Sequence, residues 1–174
     1  MRITYKPEVC DCHGGCGQTK TYLMTMDAGA ADIVRAVAVA IRNKGENEIH
    51  PRKEMELGKN QLPYDEMIRA GHMTSGMVGN LSKARSQGLI ARVAGKSGHY
   101  CLTHKGSEFL KGASIPKYAI ISKVTGHQEG YWREAEERVT MKQLLKSENY
   151  WEIDFSIADK AVIFNPQKSM AFSF

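Results

Sequence analysis

The chain has 174 residues, 42% of them hydrophobic and 25% charged, with a formal net charge of +5. That length holds one good core, or a core with a small appendage, and the apolar fraction is that of a folded protein, which excludes a disordered tail. No apolar run approaches the roughly 18 residues of a bilayer-spanning helix, and the opening Met1-Arg-Ile-Thr-Tyr-Lys-Pro7 has no signal-peptide core, so a soluble, cytoplasmic protein with no membrane partner is expected.

Residues 1–26 begin with a cysteine-rich segment. Three of the four cysteines, Cys10, Cys12 and Cys16, fall within seven residues, and His13 stands among them. Such clustering suits a metal ion better than a disulfide framework, whose partners are spread along a chain. His13-Gly-Gly-Cys16-Gly17 has the ligand spacing and trailing glycine of a zinc knuckle, so a structural zinc on Cys10, Cys12, His13 and Cys16 is expected. Adjacent residues such as Cys12 and His13 seldom bind one ion. One of them can be idle, with a distant His50, His72 or His99 completing the tetrahedron. Thr21–Thr25 then reads as a short strand.

Residues 27–113 carry the clearest pattern. Asp27 is a natural N-cap for a helix from Ala28 to about Asn43, with Ile33, Val37, Ala40 and Ile41 on its apolar stripe, Val34 widening it, and Lys44-Gly45 stopping it. Glu48–His50 reads as a small strand before Pro51, and Arg52–Leu57 as one helical turn. Pro63–Ala70 is the next helix, Gly71-His72-Met73 a turn, and Thr74 or Ser75 the cap of a third helix over 74–87. Met77, Leu81 and Ala84 share one face of that helix, Lys83 and Arg85 lie off it, and Gly88 sits where a C-cap glycine belongs. Leu89–Val93, the polar turn Gly95-Lys-Ser-Gly98 and His99–Thr103 form a hairpin. Thr103–Leu110 closes the unit as a short helix with Phe109 and Leu110 inward.

A helix ending in Gly-Leu-Ile that feeds a basic hairpin is the order of a winged helix-turn-helix, which offers the helix to a DNA major groove and the hairpin to the flanking backbone. The charge is placed to match. Residues 76–112 hold Lys83, Arg85, Arg92, Lys96, Lys105 and Lys111 against Glu108, so this stretch alone accounts for the whole net charge. The expected contacts to double-stranded DNA are Ser75, Asn80, Ser82, Lys83 and Ser86 at bases or nearby phosphates, and Arg85, Arg92, Lys96 and His99 at phosphates.

Residues 114–174 change texture. Tyr118–Val124 reads as a strand, Val139–Lys146 as a short helix, and Tyr150–Phe155 with Lys160–Phe164 as paired strands, giving a small α/β appendage. The fold class expected is therefore α+β: a winged helix-turn-helix core with an N-terminal metal knuckle and this appendage.

Taken together, Cys16-Gly17, the helix from Asp27 to Ile41, Gly88-Leu-Ile90, Gly98-His-Tyr100, Leu102-Thr103, Lys105-Gly106 and Ile115-Pro-Lys-Tyr118 resemble a family of uncharacterised bacteriophage proteins. Members pair a zinc-knuckle segment with a winged helix and a short β-rich tail. The stretch from Gly88 to Gly106 also resembles the reader modules of MarR-type repressors, which implies a DNA-binding fold. The chain departs from the family pattern where His13 replaces one cysteine of an expected pair.

Two functions follow as expectations. The first is a phage transcription regulator that reads the major groove with helix 74–87 and the flanking backbone with the 94–99 wing; a homodimer would raise its specificity, although no zipper-like extension marks an interface. The second is an interaction module for a host complex, RNA polymerase or a defence system, anchored by Tyr131-Trp132 and Tyr150-Trp151. No Gly-rich phosphate loop, nucleophile elbow or His-Glu-x₂-His helix is present, so catalysis is not expected.

Overall fold

The computed structural model describes residues 21–58, 61–122, 128–131, 137–145 and 162–164. The expected zinc ligands Cys10, Cys12, His13 and Cys16, the strand Tyr150–Phe155, and both tryptophans lie outside the described residues.

The chain is organised around one helix, α1 (Ala28–Lys44). Asp27 caps it as expected, Oδ1 accepting the Ala30 N–H at 2.9 Å, and Gly45 closes it in the left-handed conformation. The stripe seen in the sequence is too narrow, because every residue from Ala30 to Ile41 is buried. Five of those positions are alanine, small enough for neighbouring elements to close in on all sides. Burial extends to charge: Arg35 Nη2 donates to Asp32 Oδ1 at 2.8 Å, and the other Asp32 oxygen accepts the hydroxyl of Tyr64 from α2 (Tyr64–Arg69). A buried carboxylate is tolerated only when its lone pairs are met, and here meeting them ties α2 to α1.

Between these helices the sequence reading needs two corrections. Glu48–His50 contributes a single bridge, Ile49 to Tyr100, and not a strand, since Pro51 ends the extended run. The turn after it is wider than an α-turn: Pro51–Met55 is π-helical, His50 Nδ1 accepts the Lys53 N–H at 3.3 Å, and β2 (Glu56–Leu57) follows to pair in parallel with β3 (Met73–Thr74). The turn after α2 hinges on Gly71 at φ 79°, where a Cβ would stand 2.7 Å from the backbone nitrogen of Ala40. Only glycine lets this turn lie against α1.

The expected helix over 74–87 begins late. Ser75–Met77 forms a 3-10 turn, and α3 runs Gly79–Ser86 with no side-chain cap from Thr74 or Ser75. Two glycines in the first turns weaken the α form, and without a cap the backbone tightens. Gly88 takes the positive φ expected of it. The hairpin then forms in the expected place: β4 (Ile90–Arg92) pairs antiparallel with β5 (Tyr100–Thr103), Ile90 opposite Leu102 and Arg92 opposite Tyr100. Thr103 caps α4 (His104–Leu110), which buries Phe109 and Leu110.

The remaining described elements are β6 (Ile115–Pro116), β7 (Tyr118–Ser122), β8 (Gln128–Tyr131), β9 (Arg138–Val139), α5 (Met141–Leu145) and β10 (Val162–Phe164). The strand Thr21–Thr25, β1, pairs antiparallel with β7 over its whole length, and β8 flanks β7 on the other side. Val162–Phe164 lies parallel to β5, so the hairpin becomes a three-stranded sheet in the order β10-β5-β4. α5 packs on α1, and Ile115, Val139 and Met141 join the main core with Ile33, Leu81, Leu102 and Phe109. Elements from residues 1–26, 27–113 and 114–174 thus share sheets and one core, and the fold is mixed α+β. Among the described residues no helix is long and apolar enough to cross a membrane.

Candidate nucleic-acid interface

The surface to be tested is built by α3 and the β4–β5 hairpin. Met77, Leu81 and Ala84 are buried, which fixes the rotation of α3. Ser75, Gly76, Gly79 and Ser82 are exposed, and Asn80, Lys83 and Arg85 are half-buried. Ser86 is a correction: it is 4% exposed, too buried as it stands to contact a base or phosphate, although it falls on the side of the helix opposite Met77, Leu81 and Ala84.

Two of the expected base-reading side chains are turned toward α1. A Cβ on Gly29 would stand 2.8 Å from Asn80 Nδ2, so the amide lies over the first turn of that helix. One turn further on, Lys83 Nζ donates to Asp27 Oδ2 at 2.6 Å. The same carboxylate therefore caps α1 through one oxygen and binds Lys83 through the other. Partial burial pushes the Asp27 carboxyl up, but the hydrogen bonds from Lys83 and from the Ala30 N–H outweigh it and hold the group below its ordinary value.

The hairpin turn is anchored in a comparable way. Lys96 Nζ pairs with Glu48, a carboxylate only 15% exposed, and His99 Nδ1 lies 3.6 Å from the same Glu48 oxygen. Gly98, at φ 77°, packs on His50, and the His50 and His99 rings meet edge to face with centroids 5.1 Å apart. Lys105 is absorbed by the fold as well: its Nζ donates to the Gln87 carbonyl at 2.7 Å, at the end of α3.

Arg85 and Arg92 are different. Arg85 leaves the last turn of α3 where that helix packs on β4, and Arg92 is exposed on β4 itself. Neither has a carboxylate within ion-pair distance among the described residues, and Arg85 Nε is buried with no hydrogen-bond partner there. Burial and then the neighbouring Arg92 charge make Arg85 easier to deprotonate than an ordinary arginine.

No known protein family, curated protein or solved structure matches the chain.

The histidines considered as distant metal ligands have other surroundings. His50 and His99 pack together at the hairpin, and His72 Nδ1 lies 3.2 Å from the Met55 carbonyl oxygen. Among the described residues no three His, Cys, Asp or Glu side chains are grouped to hold a metal. Cys101 is buried and unbridged, its thiol pushed up to about 11 by burial and by Glu48.

Sequence reasoning misses Asp27 and Glu48 as members of this surface. Asp27 is legible as a helix cap, but a bond to a lysine 56 positions away leaves no local signal. Glu48 sits in a loop whose packing depends on the hairpin.

Proposed function

We propose that the protein is a DNA-binding regulator of the winged helix-turn-helix type, with α2, the Gly71 turn and α3 as the reading unit and the β4–β5 hairpin as the wing. The observation that carries this reading is the uncompensated pair Arg85 and Arg92 at the seam of α3 and the hairpin. Two arginines at one seam, with no carboxylate partner among the described residues, suit two phosphates of a duplex backbone. The exposed Ser75 and Gly76 of the 3-10 turn and Gly79 and Ser82 of α3 give a face without bulk, which supports close approach to a groove floor. In the same reading the cysteine-rich segment is a structural zinc knuckle, and the role is in transcription.

The test is fluorescence anisotropy of a short mixed-sequence duplex, titrated with protein over a range of salt concentrations. Replacing Arg85 and Arg92 together by alanine should weaken binding across all sequences. It should also lower the slope of log affinity against log salt by about two, since each phosphate neutralised contributes close to 0.9. Neither residue's side chain is part of the apolar core, so the melting temperature should stay near that of the parent. Unchanged affinity and slope in a folded double variant would remove the assignment.

A further inference from the structure

Two lysines of the candidate surface are already held by carboxylates from elsewhere in the chain. Lys83 is bound by Asp27 and Lys96 by Glu48, with the His99 ring 3.6 Å from the same Glu48 oxygen. Both carboxylates lie outside α3 and the hairpin in sequence, at the two ends of the α1 unit. Lys83 and Asp27 are 41% and 43% exposed, so their bond is open to exchange and its worth is that of a surface pair. Asp27 also loses little when Lys83 leaves. Its Oδ1 keeps the cap on Ala30, and the positive end of α1 continues to favour its charge.

We propose that Asp27 and Glu48 act as built-in substitutes for two backbone phosphates, holding Lys83 and Lys96 against the body until a duplex displaces the carboxylates. This rests on the DNA-binding reading and adds its regulation. In the free state Arg85 and Arg92 are the arginines of this surface with no carboxylate partner among the described residues, and they make the first encounter. Lys83 and Lys96 are recruited on docking, each exchanging a carboxylate for a phosphate. The exchange costs affinity, and it makes binding depend on whether the phosphates fall where both lysines can reach them, which disfavours duplexes of the wrong groove shape.

Asp27→Asn separates the two jobs of that residue, because asparagine caps a helix as well as aspartate does and cannot form the ion pair. The parent, Asp27→Asn, Lys83→Ala and the double variant are compared by anisotropy on the mixed-sequence duplex, with melting temperatures to show that each is folded. Asp27→Asn should bind about two- to fivefold more tightly, the worth of an exposed ion pair, and that gain should vanish when Lys83 is already alanine. Glu48→Gln should act in the same direction through Lys96. An equal gain in both Lys83 backgrounds would mean that Asp27 acts only as a repelling charge, which overturns the exchange while leaving DNA binding intact. No gain at all would overturn it too. Salt-insensitive or absent binding by the parent and every variant would instead remove the DNA reading, and the exchange with it.

Discussion

Ser86 and Arg85 are neighbours in the last turn of α3, yet one is buried and the other half-buried. A helix advances about 100° per residue, so a list of polar residues in a recognition helix always mixes the two faces. The apolar triad Met77, Leu81 and Ala84 sets the rotation of α3, but Ser86 falls on the opposite side of the helix from it, so its burial comes from tertiary packing that periodicity does not show. The lysines are harder, because a long side chain goes where its partner is. Ion pairing also gives this surface a pH dependence. Asp27, and Glu54 through its bond from Lys44, are both held below their ordinary values of 3.8 and 4.5. Groups lowered in this way stabilise the fold above those values, and the contribution fades as pH falls through the lowered folded values. Thermal melts between neutral and strongly acidic pH should show the parent losing more than Asp27→Asn, which has one such group fewer. Equal losses would mean that the Asp27 pair contributes nothing to stability.

At the scale of elements, what is decided locally is legible in the sequence. The cap at Asp27, the stop at Gly45, the positive φ of Gly88 and the short helix after Thr103 are all settled within a few residues, and each stands where the sequence places it. The pairing of β2 with β3 and the π-type turn before it are not legible, since two-residue strands carry no periodicity. The start of α3 differs from its expected place because Gly76 and Gly79 count against helix only weakly in sequence but decide the geometry of an uncapped end. Gly79 has negative φ and open space around it, so nothing in the fold requires glycine there. Gly79→Ala should therefore stabilise the protein by about 0.5–1 kcal/mol in chemical denaturation. If α3 enters a groove, the added methyl should also weaken duplex binding. A variant that is more stable and binds equally well would place the DNA contact elsewhere on α3.

For the whole molecule, the expected division into three consecutive segments meets a structure in which strands cross between them. β1 belongs to the first segment by sequence and to a sheet with β7 and β8 by pairing. Long-range pairing of this kind is invisible to composition, whereas the α+β class follows from the elements themselves. One consequence is cooperativity. β1 runs directly into α1 through Met26 and Asp27, so loosening the small cluster of Met24, Ala119 and Ile121 should be felt in the main core. Ile121→Ala, a fully buried truncation costing about 2–5 kcal/mol, should lower the melting temperature as a single transition, with hydrogen exchange in α1 accelerating along with that in β7. Separate transitions would show that the two sheets unfold independently.

The partnership of β1 with β7 also has a history in time. Thr21 meets Ser122, so at ribosomal speeds of about 5–20 residues per second the first strand is made roughly 5–20 seconds before its mate exists. Throughout that interval Thr21-Tyr-Leu-Met-Thr25 is an unpaired, uncharged strand on a growing chain, the kind of segment that seeks any open edge. Birth is therefore the hazardous moment for this molecule, and slow translation between α1 and β7 should cost it more in aggregation than any single weak contact costs the finished fold.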